Sequence, residues 1–163
     1  MSNSNLTSID VAIIGSGFAG LSAAMEAANS GAKKVLIFEK MDKAGGNSTM
    51  NAGQIAAVGS PHQHRAGIKD SVELMKEDML RAGANLNHTD LLDKIIRESY
   101  DTVKWTEDEF GISYRERVTQ MGGHSVPRTL STMNHSGKII SISISDLFIC
   151  FMICHLITFG IFN

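Results

Sequence analysis

The sequence predicts an α/β fold in which a parallel sheet starts with a βαβ unit, and three observations in residues 9–40 predict it. A short β-branched run over residues 9–14 fits a strand that is buried on both faces. It leads into "GSGFAG" and then into a segment rich in small residues that is typical of a helix, with Gly31 as its C-cap. A second apolar run, "KVLIFEK", follows within the roughly 30 residues of a βαβ unit.

The glycine-rich turn has the spacing of a dinucleotide-binding fingerprint. Gly15 would permit the tight turn, Gly17 would let a pyrophosphate approach the backbone, and Gly20 would let the helix pack closely on the sheet. The phosphates would face free N–H groups at the positive end of the helix dipole. Glu39, nineteen residues after Gly20, is placed to accept hydrogen bonds from a ribose diol. The alternative is an ordinary βα turn without a ligand, and the motif alone does not separate NAD from FAD.

A loop of small hydrogen-bonding residues, "AGGNSTMNAGQ", follows Glu39. A nicotinamide-binding Rossmann domain would normally continue into its next helix at this point. Small residues here allow the backbone to approach a long, flat cofactor. Taken alone, the loop is equally compatible with a polar surface segment.

A resemblance to a known family rests first on four stretches: "GSGFAGLSAA", "VLIFEK", "AGGNS" and "NAGQIAA". Together they resemble the FAD-binding domain of the fumarate reductase and succinate dehydrogenase flavoprotein family, in its soluble flavocytochrome c-type branch. The likeness continues through "SVELMKEDMLRAGANLNHTDLLDKIIRESYDTVKWTEDEFGISY" and "MGGHSVPRT" and covers residues 8–137. It implies a Rossmann-like FAD-binding fold that is incomplete, being the first quarter to third of a full-length member. It also implies an FAD-dependent oxidoreductase that reduces an activated double bond, with a small dicarboxylate substrate and fumarate to succinate as the leading case.

The resemblance further implies which residues contact FAD. The pyrophosphate would be held by Gly15, Ser16, Gly17, Ala19 and Gly20, the adenosine ribose by Glu39 and Lys40, and the flavin side by Gly46, Asn47, Ser48, Gly53 and Gln54. Membrane-bound succinate dehydrogenases link FAD covalently to a histidine of this loop. Asn47 stands at that position and cannot form the bond, so we expect non-covalent FAD. Gln54 stands where many relatives have glycine, and whether it crowds the flavin or donates to it is left open.

Two amphipathic helices are predicted after this loop. The first, over residues 70–83, begins at Asp70 or Ser71 and carries a methionine stripe that we interpret as core. The second is a single helix over residues 89–110, in which Ser99 is a gap in the apolar face. These helices resemble the family's connection toward its capping domain.

The last patch with a functional pattern is "QMGGHSVPRT". By the family pattern, His124 and Arg128 would offer positive charge to a substrate carboxylate. An ordinary surface turn around Pro127 is the alternative. The family's proton donor and main carboxylate clamp lie downstream of this portion, so we expect no catalytic residue here and an inactive chain. His62 and His64 form the only tight histidine pair, and no cysteine or carboxylate lies at ligand spacing beside it, so no metal site is predicted.

Composition divides the chain at Lys138. Of 32 charged side chains, 31 lie at or before this residue, whereas both cysteines and four of seven phenylalanines lie in the last sixteen residues. We expect a disordered N-terminus over residues 1–8, a partial FAD-binding domain with its helical connection over residues 9–138, and an apolar tail over residues 139–163 outside the domain. A membrane anchor in the tail is the less favoured interpretation. The favoured interpretation is that the tail results from translation past an unspliced intron or from a frameshift.

Charge and cysteine content exclude several classes of function. A net charge of −2 gives no electrostatic case for a nucleic-acid partner. The first 149 residues lack cysteine and the N-terminus lacks a secretory signal, so we expect a cytoplasmic location.

Two other hypotheses stay open: a ketosteroid-dehydrogenase-like flavoprotein, which shares the βαβ unit, and a truncated product that binds FAD weakly or not at all.

Overall fold

A computed structural model describes residues 8–134 and the strand at 156–158, which fall into two compact units. The first unit holds the described residues up to Asn51 together with that strand, and the second holds residues 52–134. In chain order the strands are β1 (Val11–Ile14), β2 (Val35–Glu39), β3 (Gln54–Ala56), β4 (Thr129–Ser131) and β5 (Leu156–Thr158). The helices are α1 (Phe18–Asn29), α2 (Pro61–Arg65), α3 (Val72–Ala82), α4 (Thr89–Arg97) and α5 (Ser99–Phe110), with a 3-10 helix at Gly46–Met50.

The first unit contains the predicted βαβ unit. β1 and β2 pair in parallel, with Val11 opposite Val35 and Ile14 opposite Phe38, and α1 connects them. The helix ends one residue earlier than the sequence predicts: Ser30 is the C-cap, and Gly31 follows it with a left-handed φ of 97° that suits glycine. The α/β class and its Rossmann-like start are therefore confirmed.

β5 lies parallel to β2 on the side away from β1, with Ile37 opposite Leu156. The sequence predicts that residues 139–163 lie outside the domain; three of them form β5, and the others lie outside the described residues. The assignment of the tail, and of residues 1–7, stays a prediction. Among the described residues, no helix has the length and apolar character needed to cross a membrane.

The second unit pairs β3 with β4 in an antiparallel ladder and packs α3 against α4. Its core cluster consists of Met75, Leu92 and Ile96, and Met79 packs against it. The methionine stripe is therefore core, as predicted. α3 begins at Ser71, whose hydroxyl accepts a hydrogen bond from the N–H of Leu74 at 3.1 Å.

The single helix predicted over residues 89–110 is wrong, because the structure has two helices that meet at Glu98. The Ser99 hydroxyl donates to the carbonyl of Ile96 at 2.7 Å and accepts from the N–H of Val58 at 3.2 Å. A serine hydroxyl that bonds a nearby carbonyl competes with regular helical hydrogen bonding. The polar gap in the apolar pattern thus marks a junction between helices.

Candidate dinucleotide-binding site

The turn between β1 and α1 has the geometry that its glycines require. Gly15 has a φ of 91°, and its N–H donates to the carbonyl of Phe38 at 2.7 Å. A Cβ at Gly20 would overlap the carbonyl oxygen of Gly15 and would lie 3.4 Å from Cγ2 of Ile13. Gly15 therefore permits the turn, and Gly20 permits close packing of α1 against the turn and β1.

Gly17 lies against the loop after β2. A Cβ at Gly17 would lie 3.4 Å from the Ser48 hydroxyl oxygen, which accepts a hydrogen bond from the N–H of Phe18 at 3.0 Å. Ser48 thus satisfies one of the N–H groups that every helix leaves free at its start. The structure brings the 3-10 helix, on which three predicted contact residues lie, against the glycine-rich turn.

Two backbone donors at the start of α1 are available for a ligand. Within residues 8–134, the N–H groups of Gly17 and Ala19 have no hydrogen-bond acceptor. Free N–H groups at a helix start, together with the helix dipole, favour the binding of phosphate. The turn therefore supplies what a pyrophosphate needs.

Ser16 is directed into the protein. It is fully buried; its N–H donates to Oε2 of Glu39 at 2.9 Å, and its hydroxyl bonds the same oxygen. The N–H of Gly45 donates to both the carbonyl and the hydroxyl of Ser16, at 3.0 and 3.1 Å. Ser16 therefore joins the glycine-rich turn to the end of β2 and to the following loop. Its predicted contact with the pyrophosphate stays a prediction.

Glu39 is a buried carboxylate, 5% exposed, whose second oxygen accepts from the N–H of Met41 at 3.0 Å. The hydrogen bond from the Ser16 side chain, followed by that from Met41, lowers the pKa of Glu39 to about 2. The side chain is thus ionised at neutral pH and is an acceptor only. A carboxylate offers about four lone-pair positions. Hydrogen bonds from Ser16 and Met41 occupy three of them, and the backbone N–H of Lys40 also interacts with the carboxylate. The predicted ribose contact stays a prediction.

The other predicted contact residues are mostly at the surface. Lys40, Gly46 and Asn47 are exposed in the first unit. In the second unit Gly53 is buried and its carbonyl accepts from the N–H of Thr132, while Gln54 is exposed and its amide donates to the Ser131 hydroxyl at 3.4 Å. Their contacts with FAD stay predictions.

Arg128 lies at the centre of a buried ion-pair cluster, and this corrects the role suggested by its sequence. The guanidinium is fully buried and binds Asp70 through two bonds, Nε to Oδ2 at 2.9 Å and Nη2 to Oδ1 at 2.8 Å. Nη1 lies 2.8 Å from Oδ2 of Asp78 and 2.9 Å from Nδ1 of His124. Because these protein groups occupy four of its five N–H donors and the guanidinium is fully buried, Arg128 is not free to clamp a substrate carboxylate. Residues 121–123 and 125 are exposed, with a turn at 122–123, so the alternative of a surface turn fits that part of the segment but not Arg128.

The cluster lowers the pKa of two of the three partners of Arg128, Asp78 and His124. Burial by itself raises the pKa of Asp78, but hydrogen bonds from Ser125, Arg128 and Arg81 outweigh it and hold that pKa well below its ordinary value. Burial, and then the charge of Arg128, lower the pKa of His124. His124 is therefore a poor source of positive charge.

The sequence did not predict the hydrogen bonds between Ser16 and Glu39, nor the buried ion-pair cluster around Arg128. Asp78 carried one available signal, since it is a carboxylate three residues after Met75 on the buried face of α3. Ser16 carried none, because serine is common in glycine-rich turns. Among the described residues, no group of three or more His, Cys, Asp or Glu side chains is arranged to hold a metal ion.

The fold and this site define a dinucleotide-binding α/β domain, and comparisons with known proteins specify which one. The model of a family described as "FAD binding domain" matches residues 10–145. The chain therefore belongs to this family, and its cofactor is FAD.

Among its relatives, the acrylate reductase flavoprotein subunit of Shewanella woodyi is 47% identical over 133 residues, which are 82% of this chain and 26% of the relative. The urocanate reductase of Eggerthella lenta is 36% identical over 81% of this chain and 22% of its own length. A structure of the open conformation of a flavocytochrome c3 fumarate reductase superposes with a TM-score of 0.83 at 30% identity, over 91% of this chain and 26% of that one. The chain thus spans about a quarter of the length of these relatives.

Proposed function

We propose that this chain is the FAD-binding portion of a flavin-dependent reductase that acts on the carbon–carbon double bond of an α,β-unsaturated carboxylate. The observation that carries the proposal is the glycine-rich turn, which combines two free N–H groups at the start of α1 with the buried carboxylate of Glu39. Bound FAD supplies hydride transfer to and from such bonds. The relatives named above are named for acrylate, urocanate and fumarate, each of which has a double bond conjugated to a carboxylate.

The residues of the chain have distinct tasks in this proposal. The N–H groups of Gly17 and Ala19 bind the pyrophosphate, and Glu39 accepts a hydrogen bond from the adenosine ribose. Ser16 and Ser48 hold the turn and the 3-10 helix in place. Asn47 has no nucleophilic ring nitrogen, so FAD is bound without a covalent link. Fumarate is the leading substrate within the class, as a small dicarboxylate.

An exchange of segments tests the proposal. Residues 1–134 of this chain would replace the matching segment of the Shewanella woodyi acrylate reductase flavoprotein subunit. We expect the chimera to purify with FAD and to reduce acrylate with a reduced viologen dye, whereas the 163-residue chain alone should bind FAD but not reduce acrylate. The matched control is the same chimera with Gly20→Val, which should lose FAD because the side chain would displace the turn.

A chimera that folds but neither retains FAD nor reduces acrylate would contradict the proposal. The ketosteroid-dehydrogenase-like alternative makes the opposite prediction. It would be favoured if the segment restored activity to a ketosteroid dehydrogenase and failed in the acrylate reductase.

A further inference from the structure

A cavity of about 490 Å³ lies in the second unit, and none of its lining residues is among those predicted to contact FAD. Its lining comes from α2, from α5 and from residues 111–116, and includes the aromatic rings of His62, Tyr100 and Tyr114. This volume is within the range of roughly 300–1,000 Å³ that is typical of small-molecule sites. The cavity is therefore large enough for a ligand of one ring with a polar substituent.

His62 has a buried nitrogen without a partner. The residue is 9% exposed, and within the part of the chain that the structure describes, its Nδ1 makes no hydrogen bond. The first turn of α2 is held by a capping box, in which Ser60 and Gln63 each bond the other's backbone N–H, at 3.2 and 3.3 Å. A buried polar atom without a partner destabilises the folded chain. Because Nδ1 is itself inaccessible to solvent, a small rotation of the imidazole ring toward the cavity would let a bound molecule supply the missing partner.

The ionisable residues of the lining leave one negative charge unbalanced. Arg65 donates from Nε and Nη2 to Oε2 of Glu116, at 3.1 and 2.9 Å, so these two charges balance each other. Glu107 makes no side-chain hydrogen bond or ion pair with any described residue. The nearby ammonium of Lys104 is bonded to Asp108 instead. The half-buried carboxylate of Glu107 is therefore available to a ligand.

We propose that this cavity binds a small planar organic cation of the amidinium or guanidinium class. Its N–H groups would form charge-assisted hydrogen bonds to the Glu107 carboxylate. The two tyrosine rings favour a cation over a neutral molecule through cation–π attraction. His62 accepts one further N–H at Nδ1 in the tautomer that carries its proton on Nε2. An anion would be repelled by Glu107, and an apolar molecule would leave both acceptors without a partner.

Titration of the purified 163-residue chain with benzamidine, followed by NMR, tests the proposal. We expect saturable binding that Glu107→Gln weakens about ten- to hundredfold, the range expected for loss of a charge-assisted hydrogen bond. The matched control is Glu109→Gln, an exposed glutamate on the same helix, which should leave the affinity unchanged. Benzyl alcohol, which has the ring without the cation, should not bind.

A second variant, His62→Phe, keeps a ring at this position and removes the acceptor, and it should also weaken binding. Circular dichroism of each variant establishes that it is folded. Absence of saturable binding to the wild-type chain would overturn the proposal, and so would an equal loss of affinity in Glu107→Gln and Glu109→Gln.

Discussion

Ser16 and Glu39 lie 23 residues apart in the chain and are joined by two hydrogen bonds, from the backbone N–H and from the hydroxyl of Ser16 to one carboxylate oxygen. The glycine-rich turn and the end of β2 are therefore fixed to each other before any ligand binds. A site that is already organised does not have to order itself on binding, which favours affinity. The acid at the end of β2 thus has a structural task in addition to the ribose contact predicted for it.

Replacing Glu39 by glutamine should remove an acid-sensitive part of the free energy of unfolding. The pKa of Glu39 is about 2 in the folded chain, against an ordinary value of 4.5. The unfolded chain binds the proton more tightly, so the stabilisation is complete above about pH 4.5 and is lost as the pH falls toward 2.

Urea unfolding from pH 7 to pH 3 measures this effect. The difference in free energy of unfolding between the wild type and Glu39→Gln should shrink as the pH falls. Glu26→Gln, an exposed position on α1, is the control and should show no such trend. If the difference in free energy of unfolding between the wild type and Glu39→Gln stays constant from pH 7 to pH 3, the lowered pKa of Glu39 is contradicted.

Gly20→Ala should destabilise the first unit by about 1–3 kcal/mol, as overpacking does elsewhere. The added methyl group would overlap the carbonyl oxygen of Gly15. The control is Gly122→Ala, where a Cβ meets nothing within 4 Å and φ is not left-handed. Thermal unfolding of both variants measures the difference, and equal melting temperatures would show that the close approach at Gly20 is absent.

Arg128→Met should destabilise the chain by about 3–5 kcal/mol, because it leaves two buried carboxylates without their cation. Arg65→Met removes a salt bridge whose side chains are 54% and 77% exposed, and it should cost no more than about 1 kcal/mol. Urea unfolding at pH 7 compares the two variants. Similar losses in both would mean that the cluster around Arg128 is not buried as described.

His124 should make the stability of the chain depend on pH near neutrality. Its pKa is lowered in the folded chain by burial and by Arg128, from an ordinary 6.5. Its contribution to stability is therefore present above about pH 6.5 and decreases as the pH falls through the lower, folded value. Unfolding between pH 8 and pH 5 should show this decrease in the wild type and a weaker one in His124→Gln. A steeper decrease of stability in His124→Gln than in the wild type would contradict a lowered pKa of His124 in the folded chain.

Features with a local signal were predicted from the sequence, and features that depend on distant pairing were not. The βαβ unit was predicted because the apolar runs and the glycines that form it lie within 31 consecutive residues, 10–40. The partners of Arg128, by contrast, lie 58 and 50 residues away, and no local pattern shows which carboxylates a given arginine will meet. The junction at Ser99 is an intermediate case. The polar gap in the apolar pattern is visible in the sequence, but the hydrogen bond from the Ser99 hydroxyl to the Ile96 carbonyl is not.

The absorption spectrum of the purified chain tests the central claim most directly. The chain would be incubated with excess FAD, separated from free FAD by gel filtration, and measured before and after acid precipitation. The account predicts a stoichiometric flavin band that moves into the acid supernatant, because FAD is held by the glycine-rich turn without a covalent bond. A folded but colourless chain would contradict the claim that these residues form an FAD site.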